Sequence, residues 1–337
     1  MVHKNDELLN KEKHYDSLVQ KIASDSGKRI DSLFISNELK TIEKELYMVE
    51  VPEGKAIKLF PSLSTAASWA TAFAYKVIER FGKSKVINDY AKDFEKIALT
   101  ARDVTGTIKE HGQYYSFTDD ELEAASATGL PLDRTSSEAC KIASDDFVNT
   151  IAFYGDETYN LPGLLSNANV PVTTAPLNAA TTSRLFEDKS AEEMLTDLHD
   201  VVQDIEDSTN GVEKPDTIAL APAPWNAIFR TLVGTNSNQT VYQQFLDKNP
   251  MIKSIVKCYE LQEPTAGWTS VMPSSTLSGD LMVAFKADPK KLFIQTPKPF
   301  TVKAGQREHS ETQFDTVAKT GGLVIRYPLS VNIYQGV

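Results

Sequence analysis

Cysteine is nearly absent from this chain. Its 337 residues hold two, Cys140 and Cys258. They are too few and too far apart for a disulfide framework or a zinc spacing, so free buried thiols in a reducing compartment are the expectation. Histidine is almost as scarce, and His3, His14, His111, His199 and His309 show no metalloprotease or zinc-finger spacing. There is no G-x-x-x-x-G-K-[ST] loop and no G-x-G-x-x-G, so nothing in the pattern cradles phosphates. No G-x-S-x-G elbow presents a nucleophilic serine. Positive charge is in deficit: 35 Lys and Arg against 46 Asp and Glu leave a net charge of -11, which argues against a domain that grips nucleic acid. No apolar run approaches a membrane span. The opening MVHKNDELLNKEKHYD lacks the apolar core of a signal peptide, and no internal repeat is visible.

What remains is ordinary globular material: 41% hydrophobic and 24% charged residues, in a chain long enough for two subdomains. The most informative stretch runs from Tyr114 to Asn167. Thr118 followed by Glu121 is a capping box, in which hydroxyl and carboxylate each satisfy an orphan N–H of the first turn. Gly129-Leu130-Pro131 ends that short helix. A longer helix is predicted from about Asp133 to Tyr154, with Ala139, Ile142, Ala143, Phe147, Ile151 and Tyr154 on one face of a 3.6 period. Gly155-Asp156 stops it. A long one-sided helix must lie across an apolar surface, most simply a sheet.

Upstream, residues 1 to 46 are polar and helix-prone, with a thin stripe of Leu8, Leu9, Tyr15, Leu18, Val19 and Ile22 that needs a partner surface. From Glu45 to Phe60, alternation around a Pro52-Glu53-Gly54 turn predicts a hairpin. Residues 65–81, TAASWATAFAYKVIERF, fit two patterns: Trp69, Phe73 and Val77 suit a helix, whereas Trp69, Phe73, Tyr75 and Val77 suit a strand face. Pattern alone favours the helix. Ile97, Leu99 and Ala101 alternate further on.

Downstream, NVPVTTAPLNAATTS (residues 169–183) reads as a linker. Ser190 with Glu193 is a second capping box, and Met194, Leu195, Leu198, Val201, Val202 and Ile205 make an amphipathic helix closed by Asn210-Gly211. TIALA, a helix opened by Pro222 and Pro224, the helix VYQQFLDKN, and the strands SIVKCYEL and GDLMVAFK suggest a small α/β layer. From Lys290 onward only strands are predicted, with Pro297, Pro299 and Pro328 at ends or edges and Gly321-Gly322 as a turn or bulge.

The chemistry weighs lightly. Asp197, Asp200, Asp204 and Asp207 share a helical face opposite the apolar stripe, with His199 and Glu206 beside them; a solvated face explains them without a metal. Asp145-Asp146 on the long helix reads the same way. Arg307-Glu308-His309 reads as an exposed or interface ladder. A soluble α+β enzyme with a metal on the 190–208 helix stays as a third functional reading.

The segment YYSFTDDELEAA before the long helix, the YGDETYNLPGLLSN after it, and the closing GGLVIRYPLSV with Tyr334 and Gly336 together resemble bacteriophage major capsid proteins of the Hong Kong 97-type fold. The resemblance covers about residues 65 to 337. It implies an α+β fold with an N-terminal arm (1–64), an extended loop (65–113), a peripheral domain with a long spine helix on a sheet (114–168 and 288–337) and an α/β axial domain (169–287). It makes 65–81 a strand of a two-stranded projection, with Gly82 to Asp93 at its tip and a return running to about Gly112. The last strands would complete the sheet under the spine.

The implied function is a shell subunit assembling through pentamers and hexamers into an icosahedral head around double-stranded phage DNA, without sequence-specific binding. A compartment enclosing a cargo enzyme is the alternative. No catalysis, cofactor, metal or membrane is implied. Portal and scaffolding or decoration proteins are the implied partners, and the protein would be made in the bacterial cytoplasm and reside in the virion. Some shells of this fold are locked by Lys–Asn bonds, for which Lys83, Lys85 or Lys92 would be the loop lysine, but no matching carboxylate is visible and none is expected here. The candidate assembly contacts are Lys83, Lys85, Lys92, Asp93, Arg307, Glu308 and Arg326.

Overall fold

A computed structural model of the chain describes residues 54–84, 96–128, 132–178, 183–234, 238–263 and 277–337, all within one unit spanning Pro52–Val337. The first element is a single helical turn, α1 (Ala56–Leu59), where the sequence predicted part of a hairpin. The correction has a local cause. Lys55 N–H donates to Glu260 Oε1 (3.1 Å) and Ala56 N–H to Asn149 Oδ1 (2.8 Å), so distant side chains, not a strand, take these donors. The rest of the proposed hairpin, and the apolar stripe of residues 1–46, lie outside the described residues.

After β1 (Ser62–Leu63) come β2 (Ala72–Phe81) and β3 (Ala98–Thr107), antiparallel from Ala72↔Thr107 to Phe81↔Ala98. The helical reading of 65–81 is therefore overturned for residues 72–81. The return strand also ends sooner than expected, at Thr107, because β4 (Lys109–Thr118) turns away to join another sheet. Helix α2 (Asp119–Thr128) begins at the predicted box, with Thr118 N–H donating to Glu121 Oε2 (2.9 Å) and Glu121 N–H to Thr118 Oγ1 (3.3 Å). Helix α3 (Leu132–Tyr154) follows.

Its inward face is the predicted one only at the C-terminal end, where Ile151 and Tyr154 are buried. Ile142 and Phe147 are 46% and 41% exposed, whereas Ser144, Val148, Asn149, Ala152 and Phe153 are buried. The helix sits in the body through its C-terminal half, and two inward positions carry polar side chains with partners waiting for them.

The supposed linker contributes a short strand, β5 (Val172–Thr174). Then follow α4 (Ala191–Ser208), β6 (Thr217–Leu220), α5 (Pro222–Arg230), α6 (Val241–Lys248), β7 (Ser254–Lys257) and β8 (Leu281–Phe285). Both α4 and α6 open with complete capping boxes, at Ser190/Glu193 and Thr240/Gln243. The α4 exit uses positive φ at Asn210 (53°) and Gly211 (77°), a conformation these residue types tolerate. The remaining strands are β9 (Leu292–Gln295), β10 (Lys298–Val302), β11 (Gln306–Glu308), β12 (Glu311–Thr320), β13 (Leu323–Ile325) and β14 (Val331–Gln335).

Three sheets result beside the β2–β3 ribbon. One is β1–β9–β13; a second pairs β12 with β10 and β11 on one side and with β4 on the other, and α3 packs over it. The third runs β5–β14–β8–β6–β7. This corrects the expectation that all the last strands return under the long helix. Strand β14 lies between β5 and β8, and Val331, Asn332, Ile333 and Tyr334 are all buried, as suits a strand covered on both faces. One face of the five-stranded sheet, with Val283, Phe285, Val331 and Ile333, packs against Phe60, Phe153 and Leu164. Phe60 lies 5.6 Å from Phe153 and 5.3 Å from Phe285, ring to ring. The other face, with Ile218, Leu220, Met282 and Tyr334, packs against Leu198, Val201, Ile228 and Phe245 of the three helices.

Candidate assembly surfaces

Among the described residues, the ribbon is the part with little of its own to bury. Near its base Phe73, Tyr75 and Val77 are half-buried on one face. Beyond that Ile78, Phe81, Ile97 and Leu99 are all more than half exposed, and Trp69, just before β2, is 81% exposed. An isolated two-stranded ribbon is marginal in water, and covering each such side chain would contribute about 1.5–3 kcal/mol. Its base is fixed by specific contacts. Ile108 N–H donates to Thr71 O (2.9 Å), Thr107 Oγ1 to Asn160 O (2.7 Å), and the Arg326 guanidinium lies over Phe293 (4.7 Å) and Tyr75 (5.5 Å).

The candidate contact residues do not form one site. Lys83 is exposed at the outer end of the described ribbon; Lys85, Lys92 and Asp93 lie outside the described residues. Arg307 is engaged within its own chain, its Nη2 2.6 Å from Asp119 Oδ2, which ties β11 to the start of α2. Glu308 is exposed beside it, and His309 (φ 57°) makes the turn to β12 instead of continuing a strand. Arg326 is half-buried and anchors the ribbon base. Charge drew attention to these residues, but the exposed apolar side chains of β2 and β3 are the larger unpartnered surface, and period-2 patterning on a strand without a second layer is the signal that finds them.

Between α3 and the sheet under it runs a groove of about 630 Å³, lined by Ile57, Lys141, Asp145, Phe300, Lys319 and His111 among others. His111 Nε2 meets Ser144 Oγ at 3.1 Å, its ring lies 4.7 Å from Phe147, and its buried Nδ1 has no partner. Burial lowers its pKa, since the enclosed ring resists becoming charged. Asp145, which the sequence placed in solvent, is half-buried in the groove wall and its pKa is raised by burial.

Deeper in, Asn149 joins three segments. Its Oδ1 accepts from Ala56 N–H and its Nδ2 donates to Glu260 Oε1 (2.8 Å), while Cys258 Sγ lies 3.1 Å from Glu260 Oε2 and Tyr154 OH donates to Glu260 O (2.8 Å). Burial first, and Glu260 second, push the Cys258 thiol far up, so it is an inert core thiol. A Cβ on Gly54 would lie 2.6 Å from Asn149 Cγ, so the chain passes too close for any other residue.

The acidic helix is the solvated face expected only at Asp207, which is exposed. Asp197 is buried against Lys189. Asp204 accepts from Tyr334 OH (2.6 Å) and Asn332 Nδ2 (3.3 Å), and Asp200 is half-buried. Among the described residues no three His, Cys, Asp or Glu converge to hold a metal, and no helix is long and apolar enough to cross a membrane.

A projecting ribbon, a long helix over a sheet and a separate five-stranded layer agree with a family model described as "Major capsid protein", which matches residues 82–337. The chain belongs to the major capsid protein family. Solved structures extend the match to the fold. The capsid of Myoviridae phage XM1 is 13% identical, with 90% of this chain and 99% of that chain covered and a TM-score of 0.71. Mycobacterium phage Adephagia gives 10% identity, 91% and 98% coverage and a TM-score of 0.60. A virus-like particle from Pyrococcus furiosus gives 12%, 84%, 93% and 0.50. No curated protein matches the chain. The capsid protein thus has the Hong Kong 97-type fold, works as a structural subunit of a homo-oligomeric shell, and resides in the virion.

Proposed function

We propose that this capsid protein assembles through pentamers and hexamers into an icosahedral head around double-stranded phage DNA. The observation that carries the reading is the ribbon: an apolar outer half left uncovered by a body whose own cores are closed. In a shell that surface is covered by the adjacent subunit, and large obligate contacts of roughly 2,000 Å² or more hold copies together. The ribbon then serves as the extended loop and the residues before Gly54 as an arm, while residues 56–63 of the expected 1–64 arm belong to the body. The peripheral domain comprises 114–168 and 288–330, and the axial domain 169–287 together with β14. A net charge of -11 suits a wall that encloses DNA without gripping it. Lys83, Lys85, Lys92, Asp93 and Glu308 fall at positions where subunit contacts are proposed, whereas Arg307 and Arg326 serve the subunit's own fold. Portal and scaffolding or decoration proteins complete the head, which is built in the bacterial cytoplasm. The family match favours this reading over a compartment for a cargo enzyme.

Size-exclusion chromatography with negative-stain electron microscopy tests it. Rings of five and six subunits, tubes or closed shells are expected at high protein concentration. A uniform population of monomers or dimers that never assembles would overturn it.

A further inference from the structure

The five-stranded sheet ends in two unlike flanks, and each lacks what the other carries. At the β7 edge the Lys257 ammonium sits 5.3 Å from the Trp225 ring and 5.5 Å from the Tyr259 ring, and donates to Asn226 Oδ1 (3.2 Å). Among the described residues no carboxylate pairs with it. Trp225 stacks on Phe229 at 5.0 Å, and Phe229 and Tyr259 stay 50% and 61% exposed. This is a cation held on an aromatic platform and open on its outer side.

At the opposite flank α4 runs beside β14, next to edge strand β5. Asp197 has Lys189, but Asp204 has only the neutral donors Tyr334 and Asn332, and neither Asp200 nor Asp204 pairs with a Lys or Arg among the described residues. Asn332, itself buried beside Asp204, leaves Oδ1 without a partner. Burial, and then the neighbouring Asp204 charge, raise the pKa of Asp200 against a smaller lowering by His199, as happens to a carboxylate that has lost water without a lysine or arginine beside it. Val172 on β5 is 47% exposed.

We propose that Lys257 on its aromatic platform docks against the Asp200–Asp204 flank of the next copy in the ring. The inference rests on the shell reading above and names the contact that closes it. Two different patches meeting head to tail generate a closed ring, which a self-complementary patch would not. Opposite charges fix the register, and the exposed rings exclude water around the pair. Among the described residues of one subunit the two groups do not pair, and β14, which holds the partners of Asp204, lies three strand spacings from β7, about 14 Å.

Charge exchange in the full-length protein tests this. Lys257→Glu and Asp200→Lys are each expected to raise the concentration needed for ring or shell formation about tenfold or more, with monomer melting unchanged for Lys257→Glu. The double variant K257E/D200K is expected to assemble again. An equimolar mixture of the two single variants is expected to form six-membered rings by alternation and no five-membered ones. Should Asp200→Lys fail to fold, Asp200→Asn takes its place, and weakened assembly with an intact fold is expected. Wild-type shells with either folded single variant assembling equally well would overturn the contact alone, as would a folded double variant that stays monomeric. Wild-type protein that never forms rings would overturn the shell reading and the contact with it.

Discussion

The ribbon β2–β3 and the pair β6–β8 are both antiparallel strands rich in apolar residues, and they differ in what covers them. Ile218, Leu220, Met282 and Phe285 have helices on one side and the Phe60–Phe153 cluster on the other, and all are fully buried. Ile78 and Leu99 have a partner strand and, among the described residues, no layer that buries them, being 65% and 68% exposed. Similar sequence therefore stabilises the subunit in one place and the assembly in the other. The contrast teaches that side-chain type alone does not tell a core residue from a contact residue; the number of layers does.

Substitutions can break or sharpen this contrast. Phe153→Ala, which empties a fully buried ring site, is expected to cost about 3–5 kcal/mol of subunit stability, measured by urea unfolding of the monomer. Asn149→Ala is expected to cost about 1–3 kcal/mol, since it strands Ala56 N–H and leaves Glu260 Oε1 with Lys55 N–H alone of its two donors; the same titration reads it. A smaller effect is expected from acid.

His111 has a lowered pKa because of burial, so its neutral form contributes stability that is complete above the usual value of 6.5. That contribution is lost as pH falls through the depressed folded pKa. Glu110 on its own strand, Lys319 on β12, and Lys141 and Asp145 on α3 are the charged groups around it. Unfolding free energy between pH 7.5 and 5 should therefore fall more steeply for wild type than for His111→Phe. An identical slope would remove His111 from the account. The smallest expected change is at the ribbon: Ile78→Asp should leave monomer stability within about 0.5 kcal/mol while abolishing shells seen by electron microscopy. A large loss of monomer stability would mean that the ribbon belongs to the core after all.

Local signals were legible where the chemistry is local. The boxes at Thr118/Glu121 and Ser190/Glu193, the stop at Asn210-Gly211 and the buried run Thr217–Leu220 all depend on neighbours a few residues away, and each lies where it was read. Features set by distant partners were not legible. The polar part of the inward face of α3 is decided by Ala56, Glu260 and His111, so the apolar count found Ile151 and Tyr154 but also chose Ile142 and Phe147, which stay 46% and 41% exposed. The carboxylates of α4 looked solvated because Lys189, Asn332 and Tyr334, which bind them, come from other elements. Of the candidate contacts, Arg307 was read as part of an exposed or interface ladder, and a charge on a strand with polar neighbours does not reveal that its partner, Asp119, is in the same subunit.

The placement of β14 bears on timing during synthesis. It fills the gap between β5 and β8, yet among the described strands it is the last to leave the ribosome. Until it arrives, Leu281–Phe285 and Val172–Thr174 have no common neighbour, and Asp204 lacks both Tyr334 and Asn332. A chain still short of this strand therefore lacks both donors to Asp204, and the surface proposed to meet the next copy is incomplete until the strand is in place.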